Sequence, residues 1–433
     1  MRLVISRAIR YSLLSASLLT VVTLVSGGRA FARPQSRATD RVVLAASVPI
    51  QSMELKETTV LPSAAPNAFR GGTECDSKGD IFLQFGIYDF TRAQLEQDAA
   101  ISEIIPDSKR IVAYGRSPLP ASDYPNAQVH SFNAAPGGQL YALLVTRSDV
   151  PAGAPRAAAE YYVERFKDDG TADSVLHVDP PPGATHWFAD SVGSFSNGSF
   201  LITGTSTASA DKPSAGSWGP FTAIYDRNGR FVREVTLPDD IVNKMAKGDK
   251  SHSASHSTSS TTPAGTQTAA ANGTPTAGQG GAQESPEQPS KSHEFFEVAI
   301  TTGGVLSGPD GNVWIFRASD PARLYSVNPS GEVLKHFQLA VPAPGLKPFG
   351  IGFAGPDEIY IHFVRFAGAP GASVSPSDVV GIFDTDSERF ESLYALPDTE
   401  KGMRVLACSD HRGGFLYLGS TKNHDLALYD YRP

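Results

Sequence analysis

The sequence has little of what most recognisable enzymes and small modules are built on. Of its 433 residues only Cys75 and Cys408 are cysteine, which excludes a disulfide-stapled miniprotein and any Cys-rich zinc module. Charged residues make up 19%, below the roughly 25% of an average globular chain. The formal net charge is −8, and an acidic chain lacks the basic patch of a nucleic-acid binder, so no nucleic-acid partner is expected. There is no G-x-S-x-G elbow, H-E-x-x-H, P-loop or EF-hand pattern. The ten histidines are scattered, and spacing singles out no catalytic set. A non-enzyme is therefore the leading expectation.

Long apolar runs are also missing, with one exception at the start. Arg2, Arg7 and Arg10 precede Tyr11 to Ser26, a stretch of 16 uncharged residues, and Ala30-Phe31-Ala32 follows. This order matches a secretory signal peptide over 1–32, cut after Ala32. The run is shorter than the roughly 20 residues that span a bilayer, so no transmembrane segment is expected after cleavage. The expected location is the periplasm or the outside of the cell. Removing Arg2, Arg7, Arg10 and Arg29 leaves a still more acidic chain, which favours solubility.

What the chain does have is glycine, proline and short apolar strands. Gly and Pro number 40 and 32, and 40% of residues are hydrophobic, enough to build a core with frequent turns. One unit recurs six times: a strand, a turn, then a second apolar strand. The turns are Asp76-Ser77-Lys78-Gly79, Pro136-Gly137-Gly138, Ser196-Asn197-Gly198, Pro309-Asp310-Gly311, Gly355-Pro356-Asp357 and His411-Arg412-Gly413. The strands after them are of the type Leu140-Tyr141-Ala142-Leu143 and Val313-Trp314-Ile315-Phe316. Gly, Asn and Asp supply the positive φ of tight hairpins, and β-branched and aromatic residues favour strands. A second hairpin completes each unit, as in Ala223-Ile224-Tyr225-Asp226-Arg227-Asn228-Gly229 and Leu324-Tyr325-Ser326-Val327-Asn328. The aromatic residues Tyr161, Tyr162, Trp187, Trp314, Phe295 and Phe296 read as core between units.

Six four-stranded meanders imply an all-β, six-bladed β-propeller of antiparallel blades over 54–433, because such units bury their faces by stacking around an axis. The last unit ends at Leu426–Pro433 on a third strand with no fourth, and Glu57–Pro62 supplies a matching strand. We expect this N-terminal strand to close the ring. The stretch 33–53 reads as a flexible N-terminal arm. Residues 247–293, rich in Ser, Thr, Ala, Gly and Gln, read as a disordered insertion between blades three and four.

Cys75 and Cys408 occupy nearly the same position in the first and sixth blades, which become neighbours on closure. In an exported protein they are placed to form a disulfide across the seam; two buried thiols are the alternative. The inner strands line a central funnel and carry Glu74, Asn133, Asp190 and Asp410 there, with His130, His186 and Arg404 near by. His130, His186, Arg404 and Asp410 are candidate ligand-binding residues, although Asp and Asn also cap turns.

With these blade motifs the chain resembles six-bladed propellers of the NHL and SMP-30/gluconolactonase-like kind. The SMP-30-like resemblance implies a Ca²⁺ site of Glu, Asn and Asp, which fall on Glu74, Asn133 and Asp190; no other cofactor is expected. The leading reading is an exported module that binds a ligand or protein partner at its funnel face. A Ca²⁺-dependent lactonase or hydrolase is one alternative, and a cell-envelope scaffold is another.

Overall fold

The blades start from turn chemistry. In all six units a backbone N–H donates to the carbonyl four residues on and closes the first hairpin. The pairs are Asp76 to Asp80, Ala135 to Gln139, Phe195 to Ser199, Gly308 to Asn312, Ala354 to Glu358 and Asp410 to Gly414, at 2.7–3.1 Å. Asp or Asn side chains fix many of these turns: the Lys78 and Asp80 N–H groups both donate to Asp76 Oδ1. In the second hairpin of blade five, which lacks the usual glycine, Glu388 takes the positive φ of 55° itself.

The computed structural model describes residues 42–43, 48–61, 69–76, 78–85, 87–89, 94–96, 101–115, 127–135, 138–146, 159–208, 218–238, 304–319, 321–365, 377–397, 405–410, 413–421 and 426–433. The segments read as signal peptide and as disordered insertion, with Phe295 and Phe296, lie outside these residues. All elements among the described residues are strands. The N-terminal segment holds β1 (Val42–Val43), β2 (Ile50–Ser52) and β3 (Glu54–Val60). Blade one is β4 (Phe69–Cys75), β5 (Ile81–Phe85), β8 (Ile101–Ile105) and β9 (Arg110–Tyr114), with a side hairpin of β6 (Ile87–Asp89) and β7 (Gln94–Glu96). Blade two is β10 (Gln128–Ala134), β11 (Leu140–Thr146), β12 (Glu160–Phe166) and β13 (Ala172–His177). Blade three is β14 (His186–Ser194), β15 (Phe200–Thr207), β16 (Gly219–Tyr225) and β17 (Phe231–Glu234). Blade four is β18 (Val305–Ser307), β19 (Val313–Arg317), β20 (Ala322–Val327) and β21 (Val333–Leu339). Blade five is β22 (Lys347–Phe353), β23 (Glu358–Val364), β24 (Asp378–Asp384) and β25 (Arg389–Ala395). Blade six is β26 (Val405–Ser409), β27 (Phe415–Ser420) and β28 (Leu426–Arg432), completed by β3.

The ring is thus a six-bladed propeller closed by the N-terminal strand, as the unpaired third strand of the last unit implied. β3 pairs antiparallel with β28 from Val60↔Ala427 to Glu54↔Arg432. Its own side chains are mostly exposed, but the residues flanking it are not: Met53 and Leu61 are fully buried. Met53 joins the core between blades five and six, and Leu61 the core between blades six and one. The segment before it also pairs. Val42–Val43 adds a parallel strand to β21 and Ile50–Ser52 a parallel strand to β25. One stretch of chain therefore edges three consecutive blades, including residues within the part read from sequence as a flexible arm.

Six hydrophobic clusters of described residues hold the ring, one at each blade interface. The strand period of two divides each blade between its neighbours. In β11, Leu140, Ala142 and Leu144 pack toward blade one, and Tyr141, Leu143 and Val145 toward blade three. Tyr161, Tyr162, Trp187 and Trp314 all belong to these clusters, as core or packed against it. At the seam, Cys75 and Cys408 form a disulfide with a Cα–Cα distance of 5.9 Å and a sequence separation of 333.

Two predictions concern closure. Deleting Glu54–Val60 removes the fourth strand of blade six and should lower Tm by more than about 10 °C; a melting curve unchanged from wild type would contradict the closure. Replacing both cysteines by serine should destabilise the ring by about 3–5 kcal/mol, because the link closes a very long loop, as read from denaturant unfolding under oxidising conditions.

Candidate functional site

The inner strands carry the site because they carry irregularities. β10, β14 and β22 each slip register by one residue, at His130, Asp190 and Phe349. A β-bulge leaves its extra residue out of the ladder and re-aims that side chain. His130 and Phe349 line a cavity of about 570 Å³ at the axis, walled by inner-strand residues of all six blades, together with Ser191, Leu306, Ile351 and Leu406. Phe349 is 56% exposed and sets its ring edge-on to His362, with centroids 5.7 Å apart. Each histidine has a carboxylate near by. His130 Nε2 lies 3.8 Å from Asp190 Oδ1, and His362 Nε2 lies 3.1 Å from Asp378 Oδ1. The Tyr417 hydroxyl donates to the same Asp378 oxygen at 3.2 Å.

A second cavity of about 140 Å³ lies against the first and shares Thr73, Glu74, Leu306, Ile351 and Tyr360 with it. Its wall includes Ala134, Ser307 and both cysteines of the seam. Glu74 stands where the two cavities meet. Its Oε2 accepts from the Ala134 N–H at 2.7 Å and from Asn133 Nδ2 at 3.2 Å. Its other oxygen has no hydrogen-bond partner among the described residues. Asn133 Oδ1 accepts from the Ser307 hydroxyl and from the Ser194 N–H at 3.4 Å. The Ser307 proton is committed to Asn133, so the Ser194 hydroxyl donates to Ser307 Oγ at 2.9 Å. The Ser194 N–H also donates to that oxygen at 2.8 Å. Glu74, Asn133, Ser194 and Ser307 thus join the inner strands of blades one to four.

Burial pushes the Glu74 carboxyl from 4.5 up to about 8, against the lowering effect of its two donors. The Tyr360 hydroxyl is raised by burial and then by the Glu74 charge.

The residues singled out from sequence fall into separate places. Glu74 and Asn133 are in direct contact. Asp190 lies beside His130, which lines the wider cavity, and Asp410 belongs to a turn. One Asp410 oxygen accepts from the Gly414 N–H at 2.7 Å and the other from Arg432 at 2.8 Å. His186 is exposed and lines neither cavity. Arg404 lies outside the described residues. Glu74, Asn133 and Asp190 as placed do not fit a calcium ion, which takes six to eight oxygens. The Asn133 carbonyl oxygen is turned to Ser194 and Ser307, and only one Glu74 oxygen is open. Among the described residues no group of three or more His, Cys, Asp or Glu could hold a metal.

Sequence reading missed Ser194, Ser307, Phe349, Tyr360 and His362. Alignment of the blades on their first turns would have found the serines, since Ser194 and Ser307 close the inner strands of blades three and four.

No family model matches the chain and no curated protein matches it. Solved structures similar to it include YCF48 bound to a D1 peptide, at 11% identity and a TM-score of 0.36, covering 89% of this chain and 98% of that one. Another is a protein of unknown function from Bacteroides caccae, at 12% identity and a TM-score of 0.33, covering 80% of this chain and 81% of that one. At these values neither likeness bears on function, and membership of an NHL or SMP-30-like family does not follow. The fold rests on the strand pairing of the chain itself.

Glu74 makes stability depend on pH in a definite direction. A carboxyl raised in the folded state binds a proton more tightly there than in the unfolded chain. Its contribution is present below pH 4.5 and is lost as pH rises toward about 8. Wild-type Tm should therefore fall across that window more than that of Glu74→Gln, whose amide oxygen keeps both hydrogen bonds. Parallel pH profiles of the two proteins would disprove the burial of Glu74.

Proposed function

We propose that this chain is an exported binding protein that takes a small ligand, or one side chain of a partner, into its central funnel. The observation that carries this reading is the cavity of about 570 Å³ walled by all six blades, a size within the range of small-molecule sites. Its lining combines apolar surface (Leu306, Ile351, Phe349) with a few polar groups (His130, His362, Glu74). Apolar walls supply affinity, and a small number of placed polar groups supply orientation. Phe349 is 56% exposed at this site, and such apolar surface at a cavity mouth is surface a ligand can cover.

The arginine-flanked apolar leader over 1–32 and the oxidised cysteine pair support export, because disulfides persist in oxidising compartments. Among the described residues no helix is long and apolar enough to cross a membrane. The calcium-dependent hydrolase reading is less well supported, because the Asn133 carbonyl oxygen it would use already accepts from Ser194 and Ser307.

Screening a library of aromatic and aliphatic fragments by ligand-observed NMR tests the reading. Hits should weaken about tenfold in Phe349→Ala, the loss expected from burying one aromatic ring, and should also weaken in Ser191→Trp, which narrows the funnel. A screen with no hits sensitive to either substitution would refute it.

A further inference from the structure

Glu74 is a carboxyl group with no cation paired to it among the described residues. Among the described residues no lysine, arginine or histidine forms an ion pair with it; its partners are an amide N–H and an asparagine. Desolvating such a charge without a counterion is costly. One of its oxygens is held by blade two, the other has no hydrogen-bond partner among the described residues, and Glu74 lines both cavities. The walls next to it are Leu306 and Ile351, with the rings of Tyr360 and, farther along, Phe349. A metal ion would need several more oxygens than this place offers. An organic ammonium needs one carboxylate and apolar or aromatic walls, since aromatic faces attract cations directly. The acidic chain also raises the local concentration of cations.

Resting on the funnel-binding reading above, we infer that the ligand is an organic cation. Its amine or quaternary ammonium group pairs with Glu74, and its apolar remainder lies along Leu306, Ile351 and Phe349. Burial keeps Glu74 largely protonated at neutral pH. Binding of the cation restores the carboxylate, and one proton leaves to solvent for each cation bound. Affinity therefore rises with pH until Glu74 is ionised. The other titratable groups at the two cavities are Tyr360, Asp76, His130 and His362, the histidines lying near Asp190 and Asp378. Tyr360 stays neutral in this window because its hydroxyl is raised. Glu74→Gln retains His130 and His362, so the variant separates any effect of theirs from that of Glu74.

The test uses benzyltrimethylammonium, whose charge does not titrate, with benzyl alcohol and phenylacetate as neutral and anionic probes, in calorimetric titrations at pH 6 and pH 9. We expect the ammonium to bind at least tenfold tighter than either other probe at pH 9, and at least tenfold more weakly at pH 6. Near pH 7, titrations in buffers of different ionisation enthalpy should report close to one proton released. In Glu74→Gln the preference for the cation and the proton release should vanish, while the melting curve shows a folded ring. Benzyl alcohol or phenylacetate binding as tightly as the ammonium would overturn the inference and leave the funnel reading standing. Cation preference that survives Glu74→Gln would also overturn it. Failure of every probe, with Phe349→Ala and wild type indistinguishable, would overturn both.

Discussion

Each blade of this ring is apolar on both broad faces, and that constraint organises the rest of the molecule. A four-stranded sheet with two sticky faces has no stable life alone; it must be covered twice. A ring meets that demand for every blade at once. The six clusters between described blades, one per interface, are the direct expression of it. The alternation within a single strand, as in Leu140–Thr146 with every residue buried, makes one sequence segment serve two interfaces. Closure is then required, because an open ring would leave two such faces in water.

Closure falls to the two ends of the chain and to one covalent bond. The seam differs from the other interfaces in that blade six is assembled from both termini. β3 contributes little burial of its own, so the work is done by its backbone pairing and by Met53 and Leu61, which anchor it in the cores on either side. The disulfide ties the innermost strands of blades six and one at the opposite, axial edge of the same seam. The perimeter and the axis are thus fastened separately. The pairing of Val42–Val43 and Ile50–Ser52 extends the outer fastening over blades four and five.

The site follows from the same geometry. Inner strands converge on the axis, where there is too little room for large side chains from every blade at every level. Register slips at His130, Asp190 and Phe349 turn those residues out of the ladder. Short polar residues, Ser194, Ser307 and Asn133, knit three strands together without filling the space. Glu74 is tied into this network by one oxygen only. The channel is therefore left with an acid that no described cation pairs with, between apolar walls.

The sequence by itself determined the blade strands, their turns, the number of blades and the closing partner. Those features depend on local chemistry: glycine or Asx turns, alternating apolar residues, and a last unit one strand short. The position of Cys75 and Cys408 before equivalent turns made the seam disulfide legible as well. Which polar residues meet was decided only by the tertiary structure. Glu74 and Asn133 lie on different blades and touch because blades one and two are neighbours at the axis. Asp190 sits one blade further on, and a bulge places it beside His130 instead. Asp410 resembles a funnel residue in sequence, yet its oxygens are taken by Gly414 and Arg432. Local pattern sets where a strand begins and turns, but a site on a propeller axis is assembled from side chains many residues apart. Their convergence depends on bulges and hydrogen-bond competition that no single blade encodes.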